Sequence, residues 1–556
     1  MIQLSRVNIK KSTVFLRRFY KLKYIFVVNF LLLCLLLARN PFNQRTLIPN
    51  IEPYPDTIFY IAPARSLAQG DPFKLIREGR ETNPGVPPLY SLSLVPFYLI
   101  NHDARMFYFA NVLMSLTSLY LFFRILKKIT DDKWIVLFLL FLFVTNFFIY
   151  WYPQWAMSEN LLLPLFLGGT LLLISKLSYK NILLAAFISV SFYATKYACA
   201  PMMLIYSFGY LIKIVFEAKS KHSLVLRKVF FYLLFLGIFS SGIFIYGYFV
   251  NGLNPLGIVI SLFQSLVPLG GVGTSTVSNT SNSWMSMQYI KVNLPQYLDS
   301  LIGGRHRFLW DFTPIVAPWV GVLGILGLIA GFFVSKNRLL SLGLIGLLSF
   351  EILFMSMFYA LDIRYIYFAI PTLLLGFAMF LSIVKAVCVK RKLYYIFLIL
   401  IFLMSGLYLT KNVIRIKSQI VINAKYAETP WYYISVLKLN AYFDEKKEIK
   451  PVVISPMPPY YIDFYSNGNY ELLPLSTGQE FRSRMDLAWG EHDYSDLHKL
   501  YTNYLKNGRE LYVSTYGLGN EAYLHTAYEA LSEKFKTTEV YVDCYKLCNL
   551  YKVELK

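Results

Sequence analysis

The sequence predicts a polytopic α-helical membrane protein that ends in a small C-terminal α/β domain. Three observations carry that prediction. Of 556 residues, 56% are hydrophobic and only 15% are charged, whereas ordinary soluble domains carry about 25% charged residues. The mean hydropathy is +0.47. Long apolar runs recur from residue 24 to residue 410 and then give way to short strand-like runs alternating with helical ones.

The net charge is +22, from 54 Lys and Arg against 32 Asp and Glu. It does not point to nucleic acid, because the basic residues fall in short clusters between apolar runs, where they set topology and meet anionic headgroups. Cys34, Cys199 and Cys388 lie in or beside apolar segments and read as packing residues. Cys544 and Cys548 are the pair that a terminal hairpin would bring together, and an extracytoplasmic location would permit a disulfide there. No stretch has metal-ligand spacing.

Residues 1–38 combine a basic start with an apolar run from Tyr24 to Leu37 and no small-residue cleavage site. They read as an uncleaved first span with a cytoplasmic N-terminus. Further spans are expected near 105–126, 134–152, 159–175, 181–195, 197–215, 229–250, 314–335, 339–358, 365–387 and 393–410, for a total of about eleven transmembrane helices. The runs 181–195 and 197–215 also read as one long element broken at Lys196. With the N-terminus inside, every expected inner connection is basic, as at Lys127 and Lys128, Lys176 and Lys180, Lys213 to Lys228, Lys336 and Arg338, and Lys385 to Lys392. The short outer turns contribute only Arg364.

A transmembrane module 1–410 with outer loops 39–104 and 251–313 is therefore expected, followed by a soluble extracytoplasmic domain 411–556. The second loop, rich in Gly, Ser and Thr from Gly270 to Ser283, reads as a plain flexible loop or as a gate over a site, and Asn279 heads a sequon. In the terminal domain, strands are expected at 451–455, 470–475, 510–516 and 540–555, with helices near 427–445, 493–507 and 521–534.

Asp56 opens TIFYIAPARSL, a stretch expected to form a helix at the membrane surface. A carboxylate at the lipid–water boundary can accept a proton from a hydroxyl. An Asp before a helical run is also a common N-terminal cap, and on residue chemistry alone the cap is the simpler reading. Arg65, Lys74, Arg77 and Arg80 suit a lipid phosphate or headgroups in general. Pro87, Pro88 and Tyr90 read as a rigid turn back to the membrane.

Glu159 opens a span, where an ionisable group is costly unless it faces a cavity or partner; capping at the interface is the other reading. Lys196 stands between two apolar runs against the positive-inside trend, so phosphate binding competes with snorkelling. Arg305, His306 and Arg307 follow two glycines and could hold a phosphate or pyrophosphate leaving group. Asp362 and Arg364 pair with one another, or Arg364 faces the same outer cavity.

Several landmarks then appear in order. PDTIFYIAPARSLAQGDPF follows the first span, PPLY precedes the second, SENLLLPLFL opens the fourth, and ATKYACAPMML separates the fifth and sixth. GGRHRFLWDFTPIVAPWVGVLGILGL and DIRYIYFAIPTLLL come later. Across residues 20–410 this series resembles the GT-C superfamily of polyprenyl-phosphate-sugar-dependent glycosyltransferases, especially the branch of protein O-mannosyltransferases and lipid A aminoarabinose transferases.

The resemblance implies a GT-C-like fold and transfer of a sugar from a polyprenyl-phosphate-linked donor to a hydroxyl of a glycan, lipid or protein acceptor. Transfer would occur on the outer face of a plasma or inner membrane, with inversion at the anomeric carbon. It also implies that Asp56 is the catalytic base and that Lys196, Arg305, Arg307 and Arg364 lie near the donor phosphate, with Arg65, Glu159 and His306 in support. Thr57 departs from the pattern, because many relatives carry a second acid there; either the second carboxylate is absent or Glu52 or Glu159 compensates. Some relatives use a divalent metal, and with no ligand set evident in the sequence that cofactor is left open. Two other classes stay in view. A transporter or lipid flippase would show internal repeats and ionisable residues near mid-membrane, and a non-catalytic GT-C-like assembly protein would tolerate a missing acid.

Overall fold

The computed structural model describes residues 22–43, 57–73, 75–77, 80–82, 86–217, 222–251, 287–303, 315–334, 337–358, 361–387, 391–425, 431–443, 449–456, 464–466, 468–475, 495–515, 522–541 and 549–556. The chain divides into two compact units, Met1–Phe42 with Val86–Ile422, and Asn43–Gly85 with Asn423–Lys556. Most of the first expected outer loop thus groups with the terminal domain.

The first unit is helical. Among the described residues six helices are long and apolar enough to cross a membrane, and Lys133–Val144 with Phe147–Gln154, bent by 55°, makes a seventh if the pair is one span. Leu22–Leu37, Glu159–Leu173 and Pro318–Phe333 are shorter apolar helices. The apolar runs marked in the sequence all fall on these helices or on Tyr179–Thr195. At Lys196 the chain breaks: Tyr179–Thr195 and Ala200–Glu217 are separate helices that pack on one another, joined through the single turn Tyr197–Cys199.

The PPLY stretch differs from the bare turn expected, because Pro88 begins the helix Pro88–Asn101. At the first helical position the missing N–H costs nothing and the ring presets φ. Tyr90 is buried in that helix and donates from its hydroxyl to Asn111 Oδ1 at 2.8 Å.

Two contacts show how the bundle is held. Pro318–Phe333 packs along Ala369–Val387 through a stripe of small residues, Gly324, Gly327 and Gly331. A Cβ on Gly327 would strike the Gly376 carbonyl oxygen, and one on Gly376 would strike that of Gly324. In lipid, where burial gives helices little drive to associate, such close backbone approach supplies the packing. Elsewhere, Lys128 and Lys213 reach carbonyls at the end of Glu159–Leu173: Lys128 Nζ donates to Ile174 O at 3.0 Å and Lys213 Nζ to Leu172 O at 2.6 Å.

The second unit contains the helix Thr57–Ala68 and an antiparallel pair, β1 (Leu75–Arg77) and β2 (Arg80–Thr82). It also contains a five-stranded sheet of β3 (Val452–Ser455), β4 (Glu471–Pro474), β5 (Leu511–Ser514), β6 (Phe535–Tyr541) and β7 (Leu550–Leu555), ordered β4-β3-β5-β7-β6. Strand β3 pairs in parallel with β4 and β5, while β7 pairs antiparallel with β5 and β6. Val452, Ile454, Leu511 and Val513 pack with Leu497, Tyr501, Ala527 and Leu531 from the helices Ser495–Lys506 and Ala522–Lys534. The expected strand 540–555 is really the end of β6 plus β7. Strand β6 starts at Phe535, straight from the preceding helix, and its largely exposed KTTEV stretch offers no apolar run by which the sequence would announce it. Cys544, Cys548, Cys388 and Asn279 lie outside the described residues.

Candidate functional site

The site is built on the start of Glu159–Leu173. Asn160 gathers the preceding loop by donating to Tyr152 O at 3.2 Å, Trp155 O at 2.8 Å and Met157 O at 3.1 Å, and Asn111 donates to Trp155 O at 2.8 Å from another helix. Arg39 reaches the same loop, with Nη1 on Gln154 Oε1 at 2.9 Å. These amides and the guanidinium fix where Glu159 begins its helix. Glu159 is buried, and its place in the first turn puts the carboxylate at the positive end of the helix dipole.

Lys196 comes from the break between the next two helices and meets that carboxylate, Nζ to Oε1 at 2.5 Å. Burial, the largest influence, pushes the Lys196 ammonium down, but the Glu159 carboxylate together with Tyr365 and Cys199 outweighs it and holds the group above its ordinary value. The ammonium also stands 4.7 Å from the centre of the Tyr365 ring. On the same ring lies the Arg364 guanidinium, at 5.3 Å. Arg364 pairs with Asp362, Nε to Oδ2 at 2.7 Å, while its backbone N–H donates to Asp362 Oδ1 at 2.9 Å. Arg364 thus pairs with Asp362 and also borders a cavity.

That small cavity is bordered by Glu159, Lys196, Glu351, Arg364, Tyr365 and Tyr367. It gathers cations, hydroxyls and carboxyls under apolar walls, a setting in which charge interactions are strong. Sequence reasoning passes over Glu351 and Tyr365. The signal for Glu351 is present, a lone acid inside the apolar run SFEILFM, which by default marks function.

Of the residues singled out in the sequence, the structure brings together Glu159, Lys196 and Arg364. Arg65 is engaged within the second unit, where it donates to the Phe464 carbonyl oxygen and lies 4.0 Å from the centre of that ring. Asp56, Arg305, His306 and Arg307 lie outside the described residues. Among the described residues no three His, Cys, Asp or Glu side chains cluster as a metal would need. The nearest acids do not fit one, because Lys196 already occupies Glu159.

No family model and no curated protein matches the chain. Solved structures do. ArnT from Cupriavidus metallidurans bound to undecaprenyl phosphate aligns with a TM-score of 0.53 at 12% identity, over 95% of this chain and 97% of that one. ArnT from the same organism in the apo state aligns with a TM-score of 0.52 at 12% identity, over 89% and 93%. The chain is a polytopic helical protein that shares the fold of these structures and has a small C-terminal α/β unit, and at this identity the likeness establishes the fold alone.

Proposed function

We propose that the protein is a membrane glycosyltransferase that moves a sugar from a polyprenyl-phosphate donor to a hydroxyl of a glycan, lipid or protein acceptor. The observation that carries this reading is the convergence of Lys196 and Arg364 on Tyr365 at one cavity. An ammonium point charge beside a guanidinium fork suits the oxygens of a phosphate. The fold shared with ArnT, whose structure was solved with undecaprenyl phosphate, supports a lipid-linked donor.

In this reading the acceptor hydroxyl gives its proton to Asp56 as its oxygen bonds to the anomeric carbon. The bond from that carbon to the phosphate oxygen breaks, and its electron pair leaves with polyprenyl phosphate. The leaving group gains a negative charge, which Lys196 and Arg364 stabilise, assisted by Arg305 and Arg307. A single displacement inverts the anomeric carbon. Glu159 holds Lys196 in place until a phosphate competes for the ammonium. His306 would assist the neighbouring arginines, whereas Arg65 supports its own unit through Phe464. The N-terminus is cytoplasmic and the second unit extracytoplasmic, in a plasma or inner membrane.

The test is sugar transfer by purified protein with a panel of polyprenyl-phosphate sugars. Asp56→Asn is expected to cut the rate by about 100- to 10,000-fold with the fold intact. Transfer unaffected by Asp56→Asn removes Asp56 as the base. No transfer from any donor, together with solute or lipid movement across vesicles, favours a transporter instead.

A further inference from the structure

One carboxyl group in the cavity has no part in the chemistry above. Glu351 belongs to the apolar helix Arg338–Met355, is 1% exposed, and borders the cavity with Lys196 and Arg364. Its Oε1 accepts only a long contact from Cys199 Sγ, at 3.8 Å, and its Oε2 has no hydrogen-bond partner among the described residues.

The charged and titratable groups around it are Glu159, Lys196, Cys199, Arg364, Tyr365 and Tyr367. Both cations already have carboxylates of their own: Lys196 holds Glu159 at 2.5 Å and Arg364 holds Asp362 at 2.7 Å. An ionised Glu351 would therefore lie in an apolar helix, buried from bulk solvent and without a dedicated cation, a costly arrangement. A carboxylic acid avoids that cost and makes the same group a hydrogen-bond donor.

Resting on the glycosyltransferase reading, we propose that Glu351 meets the lipid phosphate as a protonated carboxyl, donating its O–H to a phosphate oxygen while Lys196 and Arg364 supply the positive charge. The proton stays on Glu351 throughout. As the carbon–oxygen bond breaks and charge builds on the phosphate, this hydrogen bond strengthens, so it favours departure of the lipid over binding of the intact donor. Ionised, the same side chain would repel the phosphate.

The test is binding of undecaprenyl phosphate to the full chain in detergent, from about pH 6 to about pH 10, a window that spans carboxyl groups raised by burial. Glu351→Ala is expected to weaken binding by about tenfold or more, the loss of one hydrogen bond to a charged group. Glu351→Gln, which keeps a neutral donor, should bind like the parent at neutral pH and hold its affinity where the parent's falls at alkaline pH. The lipid's own titration is common to both proteins, so the difference between their profiles reports Glu351. Superimposable profiles for the parent and Glu351→Gln overturn the proposal, even if Glu351→Ala loses thermal stability, because packing alone would give that result. A parent protein that does not bind the lipid, or binding indifferent to Lys196→Met, defeats the glycosyltransferase reading and this inference with it. Binding that needs Lys196 and ignores Glu351 defeats only the inference.

Discussion

Lys196 Nζ lies 2.5 Å from Glu159 Oε1, with the two side chains 15% and 5% exposed. This contact ties the break between two apolar helices to the start of a third, so it fixes local structure as well as placing a cation in the cavity. Removing one partner of such a buried pair leaves the other charge uncompensated, at a cost of about 3–5 kcal/mol, while replacing both by neutral groups costs far less. Lys196→Met should therefore lower the thermal unfolding midpoint, and Glu159→Gln added to it should restore most of the loss. Sugar transfer should stay low in both, because the phosphate has lost its ammonium. Recovery of activity along with stability would show that Lys196 serves only the fold.

What the sequence made legible follows from how each feature is encoded. The spans announced themselves through apolar length, and Lys196 and Arg364 stood out as cations at ends where the inner connections hold most of the positive charge. Glu351 hid because one acid among Leu and Phe hardly changes the hydropathy of its window, and Tyr365 hid among 44 tyrosines. The helix at Pro88 resembles a turn in the sequence because paired prolines usually break structure, yet the first helical position is where proline fits. The contact between Lys196 and Tyr365 joins positions far apart in the chain, and no local pattern encodes it.

The glycine stripe makes a prediction about the scaffold. Gly327 and Gly376 meet backbone to backbone where Pro318–Phe333 crosses Ala369–Val387, the helix that follows the Arg364 turn. Gly327→Ala places a methyl group against the Gly376 carbonyl, so the two helices must part; overpacking of this kind costs about 1–3 kcal/mol. Gly406, with nothing near the place a Cβ would take, is the control, and Gly406→Ala should be neutral or slightly stabilising. The measurement is thermal unfolding in detergent. Equal midpoints for the two variants would mean that the crossing is looser than the structure has it.

Asp132 gives a pH dependence that is separate from the cavity. It caps Lys133–Val144 by accepting from Trp134 N at 2.8 Å, and its other oxygen accepts from Lys385 Nζ at 2.6 Å and Tyr394 Oη at 3.2 Å. Burial pushes the carboxyl up, but the Lys385 ammonium and the backbone N–H groups together outweigh it and hold Asp132 below its ordinary value. A carboxyl depressed in the folded state contributes stability that is fully present above its unfolded value, about 3.9, and is lost as pH falls through the folded value. Lowering the pH from about 5 should therefore reduce the parent's unfolding midpoint more steeply than that of Asp132→Asn, which keeps a capping side chain but cannot ionise. Lys385→Met should make that acid decline shallower than the parent's, because it removes one of the groups that depress Asp132 and brings the folded value closer to the unfolded one. The effect is modest because the Lys385 side chain is 49% exposed and solvent screens it. Parallel acid profiles for the parent and Asp132→Asn would mean that the contact to Lys385 contributes nothing to holding these helices together.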